Sequence, residues 1–436
     1  MPAVLIAGGG LAGLAAAVAL ADAGFTVELH EARGFLGGRA TSFPLDSEVI
    51  DNCQHILLRC CVNLLDFYRR LGVTDRVRFH DTFHFIEPGG RVSTLRRGRL
   101  PPPLHLFGSF LRMACLDAAD KLTIARGLVA LRRERGRRGD LDRITMLDWL
   151  REKRQTERAI RRFWGQVLVG AVNEELDRMA AAHGFKVFWL GFLARADSYQ
   201  MGVPAVPLGE LYSLEVWRRI GGVTLHLRSP VESIEIRDGL VTAVRAGDTL
   251  RTADYYVAAL PLERLAPVAP GLDLDASWLD HSPITGIHLW FDRPVTSLPH
   301  ATLLDRTIQW VFNKSEGRYL QVVVSASRSL VEMSRGAVID LAFAELAEFF
   351  PAVKEARLEK AHVIKEIRAT FSARPGIEAR RPPPETRIGN LFLAGDWTRS
   401  GWPATMEGAV RSGYRAAETV ARAAGRPARF LLPDIA

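Results

Sequence analysis

The chain has 436 residues, of which 48% are hydrophobic and 24% are charged. This length suffices for two or three domains, and this balance excludes an intrinsically disordered protein. Lysine and arginine number 57 against 49 aspartates and glutamates, so the net charge of +8 favours an acidic partner. Because no nucleic-acid-binding motif accompanies the arginine clusters, we expect an anionic membrane surface as partner and no nucleic acid.

Four cysteines are too few for a disulfide framework in a chain of this length. Cys60 and Cys61 are adjacent, so they lack the spacing of a redox-active pair, and we expect buried thiols in a reducing cytosol. Histidines and cysteines do not recur at metal-ligand spacing, so the sequence predicts no metal site.

The apolar amino-terminal segment, residues 1–24, is interrupted by three consecutive glycines and has no basic region before it. These features are typical neither of a signal peptide nor of a membrane-spanning helix. No other run reaches spanning length without charge. We therefore expect a cytoplasmic protein that associates peripherally with the inner face of the cell membrane.

The predicted elements begin with a βαβ unit, whose order is typical of a parallel sheet. It comprises the strand in "AVLIAGGG", a helix at 11–23 and the strand "TVELHE". A helix at 62–72 follows, and then a hairpin around the Pro-Gly-Gly turn of "FHFIEPGGRVSTL". Helical patterning prevails from 101 to 200 and resumes at 208–219.

The second half of the chain is predicted to be rich in strands. A β-meander with Asp-Gly and Gly-Asp turns occupies 231–261. Two strands of a further sheet are "ITGIHLWFD" and "YLQVVVSAS", and a helix at 337–350 follows them. The chain ends with a strand, a loop and a long helix within 388–425.

A G-x-G-x-x-G motif lies directly after the first strand and predicts a dinucleotide site. The first glycine permits a tight turn, the second lets a pyrophosphate approach the backbone, and the third lets helix and strand pack closely. An acid at the end of the second strand can accept hydrogen bonds from both ribose hydroxyls. Its negative charge would repel the 2′-phosphate of NADP, which argues against that cofactor. The predicted contacts here are Gly8, Gly10, Leu11, Ala12, Gly13, Glu31 and Ala32.

A second group of motifs favours FAD among the dinucleotides. In "GFLGGRA", paired glycines suit a backbone close to the cofactor, and the arginine can neutralise a phosphate. In "LFLAGDWT", the aspartate can bind a ribityl hydroxyl, which NAD does not possess. The last helix begins within "GWPATMEGA", with its amides aimed at the flavin ring. The predicted flavin contacts are Gly38, Arg39, Gly395, Asp396, Ala404, Thr405 and Met406.

Over nearly the whole chain, these motifs resemble those of the FAD-dependent amine oxidase and carotenoid desaturase superfamily. The resemblance implies an α/β fold: a Rossmann-like FAD-binding domain with a parallel sheet, and a second α+β substrate domain with a helical, membrane-docking part. The FAD-binding domain is expected to comprise 1–80, 205–265 and 385–436, and the substrate domain 81–204 and 266–384. By the same resemblance, Val231 contacts the adenine half through its backbone, and FAD is bound non-covalently because no cysteine follows residue 115.

Two departures from the superfamily's pattern argue against an amine substrate. Amine oxidases place a lysine near the flavin on the strand that corresponds to "ITGIHLWF", and an aromatic cage residue just before "MEGA". Here the strand offers His288 and no lysine, and Thr405 occupies the cage position. The segment "RRGRLPPPLHLFGSFLRM" at 96–113 sets apolar side chains between arginines, as in a membrane-docking surface. A core helix beside solvated arginines is the alternative.

The segment "DNCQHILLRCCVNLLDFYRRLGV", together with "FIEPGGR" and the carboxy-terminal motif, is similar to those of the hydroxysqualene dehydroxylases, a group of bacterial flavoenzymes. The resemblance implies a polyisoprenoid substrate, whose allylic hydroxyl is replaced by hydrogen with electrons from an unidentified donor. A general acid must protonate the leaving hydroxyl, and the candidates are His55 and Asp51. The alternatives are a structural hydrogen bond for His55 and a helix N-cap for Asp51. Aromatic faces for a cationic intermediate are expected from Trp290, Trp310, Trp397 and Trp402.

Other functions stay open at this point. A carotenoid-type desaturase or isomerase would consume oxidised flavin and create new conjugation. A flavin amine oxidase is the weaker enzymatic alternative. A FAD-bound membrane scaffold for terpenoid enzymes would have no turnover of its own.

Overall fold

The amino terminus forms the predicted βαβ unit in a computed structural model that describes residues 1–435. Strand Ala3–Ala7 leads into helix Leu11–Asp22, and strand Thr26–Glu31 returns parallel to the first. The first helix is alanine-rich and buried, and it packs closely on the closing helix, Met406–Ala423. A Cβ atom on Gly413 would lie only 2.1 Å from the carbonyl oxygen of a residue in the first helix. Small side chains therefore set the distance between the two helices.

A five-stranded sheet forms the centre of the nucleotide-binding region. Every neighbouring pair in it is parallel, so the carboxyl ends of all five strands meet at one edge. In spatial order the strands are Val223–Leu227, Thr26–Glu31, Ala3–Ala7, Tyr255–Ala258 and Leu391–Leu393. This edge collects the loops that carry the predicted FAD-binding motifs.

The predicted β-meander is present, and it forms a separate antiparallel sheet. Its strands are Val231–Arg237, Leu240–Ala246 and Thr249–Arg251. The segment predicted as the last strand of the meander, Tyr255–Ala258, instead pairs with Ala3–Ala7 in the parallel sheet. The helical prediction at 208–219 is also modified, because the chain forms two short helices, Leu208–Leu211 and Leu214–Trp217.

A seven-stranded sheet supports the other half of the molecule. Its strands, in spatial order, are Leu358–Phe371, His281–Phe291, Tyr319–Ser325, Trp310–Ser315, His300–Leu303, Thr82–Ile86 and Val92–Arg96. The last two form the predicted Pro-Gly-Gly hairpin. The sequence analysis did not identify the longest strand, Leu358–Phe371, because charged side chains interrupt its apolar pattern.

Helix Arg335–Phe349 covers one face of this sheet. Ile287, Leu289 and Val322 point toward that helix and share a core cluster with it. Because successive side chains of a strand alternate between faces, His288 and Gln321 must point to the opposite face. That face, called the inner face below, looks toward the helical region and the FAD-binding loops.

The region from 101 to 200 is helical, as predicted. Two of its helices begin with capping boxes, in which Asp117 and Thr145 each accept a hydrogen bond from the amide three residues later. Its helices are Phe107–Arg112, Ala118–Glu134, Met146–Glu152, Glu157–Ala159, Gln166–Val172 and Ala181–Phe188, with π-helical turns at Ile160–Gly165 and Trp189–Leu193. Within residues 1–435, no helix combines the length and the apolar character needed to cross a membrane.

Shorter elements connect the two halves. Helix Val62–Arg70 confirms the prediction at 62–72. The remaining strands are Ser42–Leu45 paired with Glu48–Asp51, and Met201–Pro204 paired with both Leu57–Leu58 and Val77–His80. The remaining α-helical turns are Leu262–Val268 and Ile377–Arg380.

Candidate functional site

The glycine motif forms a tight turn at the carboxyl edge of the parallel sheet. Gly8 has φ +110°, and a Cβ there would lie 2.6 Å from the carbonyl oxygen of Ala259. A Cβ on Gly13 would lie 2.0 Å from the carbonyl oxygen of Gly8, so helix and strand are in direct contact. The position of a Cβ on Gly10 is different, since only the Cα of Gly38 comes within 4.0 Å of it. The turn is closed on the protein side and open where a pyrophosphate would approach.

Glu31 stands beside this turn. Its Oε2 accepts a hydrogen bond from the amide of Gly9 at 2.7 Å, and its Oε1 accepts one from the amide of Arg33 at 2.8 Å. These bonds fix the orientation of the carboxylate and leave each oxygen with acceptor capacity for a ribose hydroxyl. The backbone carbonyl of Glu31 also accepts a hydrogen bond from Ser229, at 2.9 Å. The start of the meander at Val231 is thereby held near the same edge.

Arg39 joins the two flavin motifs that the sequence separates. Its Nη2 lies 2.6 Å from Oδ1 of Asp396, and its Nη1 donates to the carbonyl of Ala369 at 3.0 Å. The charge of Asp396 raises the pKa of Arg39. The sequence analysis assigned Arg39 to a phosphate or to the flavin face, and the structure adds an ion pair that positions Asp396. This pair uses one of the two carboxylate oxygens of Asp396.

The closing helix begins at the same place. Thr405 is its N-cap, and the Thr405 hydroxyl accepts a hydrogen bond from the amide of Gly408 at 3.0 Å. This capping role explains a threonine at the position where amine oxidases carry an aromatic residue. Gly395 has φ +141°, and its amide donates to the hydroxyl of Ser412 at 2.9 Å. The segment around Gly395 is therefore bound to the closing helix, and we expect the positive end of the helix dipole at Met406 to favour an anionic ring.

The stretch at 50–61 adjoins these motifs, because the side-chain amide of Asn52 donates to the carbonyl of Arg39 at 2.8 Å. Asp51 lies at the end of strand Glu48–Asp51, and it does not cap the helix that follows. Its carboxylate receives hydrogen bonds from the Ser42 hydroxyl at 2.7 Å and the Leu208 amide at 2.9 Å. Asp51 thus binds the start of a short helix remote in sequence.

Lys314 completes the surroundings of Asp51 and was not found by sequence analysis. Its Nζ lies 3.4 Å from Oδ2 of Asp51 and donates to Oε1 of Gln54 at 3.0 Å. The strand His281–Phe291 carries no lysine, as predicted, and Lys314 comes from the strand Trp310–Ser315 of the same sheet. The carboxylate of Asp51 thus contacts the Ser42 hydroxyl, the Leu208 amide and the Lys314 ammonium group. Its role as general acid stays a prediction.

His55 is half-buried, and its Nδ1 lies 2.9 Å from the carbonyl of Cys53. A carbonyl only accepts, so in the neutral ring Nδ1 carries the proton and Nε2 does not. Burial lowers the pKa of His55. The structural hydrogen bond weighed in the sequence analysis is therefore present. Both features reduce the fraction of His55 that can donate a proton from Nε2, and its role as general acid stays a prediction.

The inner face carries a row of buried polar side chains that sequence analysis did not assemble. His288 pairs with Gln321, Gln321 with Phe312, and Phe312 with His300 across adjacent antiparallel strands. His288, Gln321 and His300 are at most 1% exposed. Among residues 1–435, neither amide atom of Gln321, neither ring nitrogen of His300 and not Nε2 of His288 has a hydrogen-bonding partner. We call these three side chains the polar row.

Aromatic rings pack around His300, at one end of the polar row. Phe83 packs edge-on against His300 and Trp310, each with centroids 6.3 Å apart. Trp310 stacks on Phe312 at 6.1 Å, and Phe192 lies 6.1 Å from Phe83. These rings belong to the core cluster that the sheet shares with the helical region.

Of the four candidate tryptophans, Trp310 lies among these rings, and Trp290 stacks on His288 of the polar row with centroids 6.0 Å apart. The indole of Trp290 stacks on Tyr319 at 4.4 Å. The indole nitrogen of Trp397 donates to the carbonyl of Leu260, and that of Trp402 donates to Asp434. The latter two tryptophans therefore have structural hydrogen bonds.

The four cysteines are free, with Cys53, Cys60 and Cys115 buried and Cys61 half-buried. Burial raises the pKa of Cys53 to about 12. A buried, protonated thiol is a poor nucleophile, so this stretch does not form a redox centre. Residues 50–61 instead form one side of the candidate site. Asn52 contacts the backbone of Arg39, and Asp51 and Gln54 contact Lys314.

Buried histidines predict acid-sensitive folding. Burial lowers the pKa of His288 from 6.5 to about 4, and the pKa of His183 and of His300 to about 3. Between these values and 6.5 the unfolded chain binds more protons than the folded one, so their stabilising contribution is complete above pH 6.5 and declines as the pH falls. We expect each histidine to remove about 1.4 kcal/mol per pH unit in that window.

Urea unfolding at pH 7, 6 and 5 measures this effect. His183 lies outside the polar row. The variant His183→Gln should reduce the slope of the unfolding free energy against pH by about 1.4 kcal/mol per pH unit, the contribution of one histidine. Parallel curves for the variant and the wild type would contradict the assignment.

The open glycine turn, the Glu31 carboxylate, Asp396 and the closing helix lie at one edge and suit the pyrophosphate, ribose, ribityl chain and ring of FAD. The fold and this site define a FAD-dependent oxidoreductase.

Comparison with known proteins agrees with this class. The family model for flavin containing amine oxidoreductases matches residues 11–421, and the chain belongs to that family. It is 30% identical to the hydroxysqualene dehydroxylase of Rhodopseudomonas palustris over 97% of this chain and 99% of that protein. It is 27% identical to the zeta-carotene desaturase of a Synechocystis species over 96% of each chain. An oxidoreductase from Methanosarcina mazei has the same fold, with a TM-score of 0.73, 18% identity and coverage of 94% and 98%.

Proposed function

We propose that the protein reduces hydroxysqualene to squalene by removing the allylic hydroxyl. The observation that carries this proposal is the polar row, which lies among aromatic rings on the inner face. Relatives that act on hydrocarbons and on an alcohol are similarly close in sequence, so the substrate must be argued from the site.

The polar row distinguishes an alcohol from a hydrocarbon. A buried polar group without a partner costs about 1–3 kcal/mol, and a carotene has no atom that can relieve this cost. A hydroxyl both donates and accepts, so it can pair with the amide of Gln321 or with a ring nitrogen of His300. A substrate with one hydroxyl on a long apolar chain therefore matches this lining better than a carotene does.

His288 forms a hydrogen bond with Tyr319 on one side of its ring. Its Nδ1 lies 2.7 Å from the hydroxyl of Tyr319, and burial raises the pKa of that phenol, which keeps its proton. If the phenol donates to Nδ1, the ring proton lies on Nε2 and can be donated to a substrate oxygen. Because burial keeps the His288 ring neutral near pH 7, it acts as a hydrogen-bond donor to the substrate hydroxyl. That hydroxyl leaves as water with a proton from a general acid, for which His55 and Asp51 are the candidates.

The aromatic rings contribute to the same reaction. FAD, when bound and reduced, supplies the hydride that replaces the hydroxyl. The faces of Trp310 and Phe312 can stabilise positive charge on the allylic carbons, by about 0.5–2 kcal/mol for each well-placed ring. Closely packed rings also exclude water, which would otherwise return a hydroxyl to the cation.

An anaerobic single-turnover assay tests the proposal. Chemically reduced holoenzyme is mixed with hydroxysqualene, and we expect squalene together with recovery of the oxidised flavin spectrum. The same protein in the oxidised state is mixed with phytoene and with zeta-carotene. Desaturation of either carotene without dehydroxylation would replace this proposal with the desaturase, and no reaction with any substrate would favour the scaffold.

We also propose that residues 96–113 dock on an anionic membrane. In helix Phe107–Arg112, Phe107 and Leu111 are 44% and 48% exposed, one turn apart, and nearby Leu104 is 52% exposed. The surrounding arginines are exposed too. Exposed apolar side chains suit the acyl layer of an anionic leaflet, and the arginines around them suit its phosphates. A polyisoprenoid substrate dissolves in that leaflet, so the enzyme must take it up there.

Replacing the three exposed side chains tests the docking surface. The triple variant Leu104→Ser, Phe107→Ser, Leu111→Ser should bind phosphatidylglycerol vesicles about 100-fold more weakly, since each half-exposed side chain contributes about 1 kcal/mol. The measurement is vesicle co-sedimentation. A matched control replaces Leu214, Leu240 and Leu250, which are similarly exposed elsewhere, and should bind as the wild type does. Equal binding by both triple variants would exclude this surface.

A further inference from the structure

A second cluster of ligand-type side chains lies on the parallel sheet, beside the ribose-binding carboxylate. Glu28 and His30 are two residues apart on strand Thr26–Glu31, so they share a face. His226, on the neighbouring strand, pairs directly with His30. The carboxylate oxygen and the two ring nitrogens lie within 4.8 Å of one another. The sequence analysis predicted no metal site because the two strands are far apart in the chain.

The nitrogens of this cluster lack protein partners. Within the described part of the chain, Nε2 of His30 and Nε2 of His226 are buried without a hydrogen bond. Oε2 of Glu28 lies 3.6 Å from the first and 3.7 Å from the second, which is too long for a hydrogen bond. Nδ1 of His30 lies 2.9 Å from the hydroxyl of Ser229. When Nδ1 of His30 donates to that hydroxyl, the lone pair of the ring lies on Nε2, as in histidines that bind metals.

We propose that Glu28, His30 and His226 form a site for a divalent transition metal ion, with Zn²⁺ as the reference ion. Two imidazole nitrogens and one carboxylate oxygen suit Zn²⁺ or Fe²⁺ and do not suit Mg²⁺ or Ca²⁺. Zn²⁺ with bonds of about 2.0–2.1 Å in tetrahedral geometry needs ligand atoms about 3.3 Å apart. The two measured separations from Glu28 exceed that value by about 0.3–0.4 Å, a shift that side-chain rotation provides.

One side chain must turn for the site to close. The rings of His30 and His226 are stacked at 4.4 Å and nearly parallel, so their lone pairs point side by side. The His30 ring is held by Ser229, whereas the side chain of His226 is 28% exposed and its ring has no hydrogen bond at Nε2 within residues 1–435. Rotation of His226 aims its nitrogen at the point that His30 and Glu28 share.

A metal here would connect strands Thr26–Glu31 and Val223–Leu227 immediately before the ribose-binding Glu31. We therefore assign it a structural role at the nucleotide edge, independent of the proposed reaction.

Isothermal titration of chelator-treated, FAD-loaded protein with ZnCl₂ tests the site. We expect one ion per chain, and binding weakened about 100-fold or more in Glu28→Gln and in His226→Ala, since even outer-shell partners contribute about 10- to 100-fold. Both side chains are partly exposed, and retention of the flavin spectrum shows that the variants fold. The matched control is His281→Ala, because His281 also faces a carboxylate, that of Glu263, at 2.9 Å.

Each outcome decides the matter. Stoichiometric binding by the wild type and by His281→Ala, with loss in the two ligand variants, supports the site. A zinc anomalous-difference peak between the three side chains places it. Absence of binding by the wild type, or equal binding by all the variants, overturns it.

Discussion

The variant Gly10→Ala should fold normally and lose FAD. Its added methyl group meets no protein atom closer than the Cα of Gly38 at 4.0 Å, so the protein itself tolerates it. The methyl group would instead stand where the pyrophosphate must approach the turn. Overpacking of this kind costs about 1–3 kcal/mol, so we expect FAD to bind about 10- to 100-fold more weakly. Flavin absorbance after dialysis and the thermal midpoint of the apoprotein measure the two effects separately.

Two further glycine-to-alanine variants serve as controls for Gly10→Ala. In Gly13→Ala, the added Cβ would lie 2.0 Å from a backbone oxygen, so we expect a loss of about 3 kcal/mol or more in folding stability itself. In Gly221→Ala, nothing lies within 4 Å of the added atom, and both stability and FAD binding should stay unchanged. If Gly10→Ala retained FAD like Gly221→Ala, the cofactor would not pass over the turn.

The variant Gln321→Leu should separate stability from activity. Leucine is similar in size to glutamine, and it removes two buried polar atoms that have no protein partner within residues 1–435. We expect the free energy of unfolding to rise by up to about 1–3 kcal/mol, since that is the cost of such groups. The same change removes hydrogen bonds to the substrate hydroxyl, so kcat/KM for hydroxysqualene should fall about 10- to 100-fold. Denaturant titration and steady-state kinetics measure both.

Gln309 offers the matched control for this prediction. Its amide is fully engaged: Nε2 donates to the carbonyl of Ser325 at 3.1 Å, and Oε1 accepts from the amide of Ser325 at 2.9 Å. Gln309→Leu should therefore destabilise the fold by about 1–3 kcal/mol and leave kcat/KM unchanged. If Gln321→Leu and Gln309→Leu both lowered stability and both kept the wild-type kcat/KM, the polar row would not contact the substrate.

The FAD-binding motifs at the carboxyl edge of the parallel sheet could be predicted from the sequence, because each motif is formed by residues close together in the chain. A tight turn, a close helix and a carboxylate at a strand end each depend on residues adjacent in sequence, as in the turn from Gly8 to Gly13 and at Glu31. The parallel order of the sheet followed from the strand–helix–strand pattern. The strand Leu358–Phe371 escaped because its charged residues break the apolar alternation.

Contacts between segments that are distant in sequence could not be predicted from such local motifs. Arg39 pairs with Asp396, and Lys314 pairs with Asp51, across most of the chain. The sequence analysis weighed Asp51 as a general acid and as a helix cap without Lys314, since no local signal reveals a lysine from another strand.

The polar row and the Glu28–His30–His226 cluster show the same limit most clearly. Each consists of side chains that meet only because neighbouring strands pair in a particular register, and a shift of one residue would turn each side chain to the other face. Residue type and spacing along one strand do not specify the partner strand. The cofactor-binding motifs are therefore encoded in short stretches of sequence, whereas the polar row and the Glu28–His30–His226 cluster arise from cross-strand register, because long-range pairing alone brings those groups together.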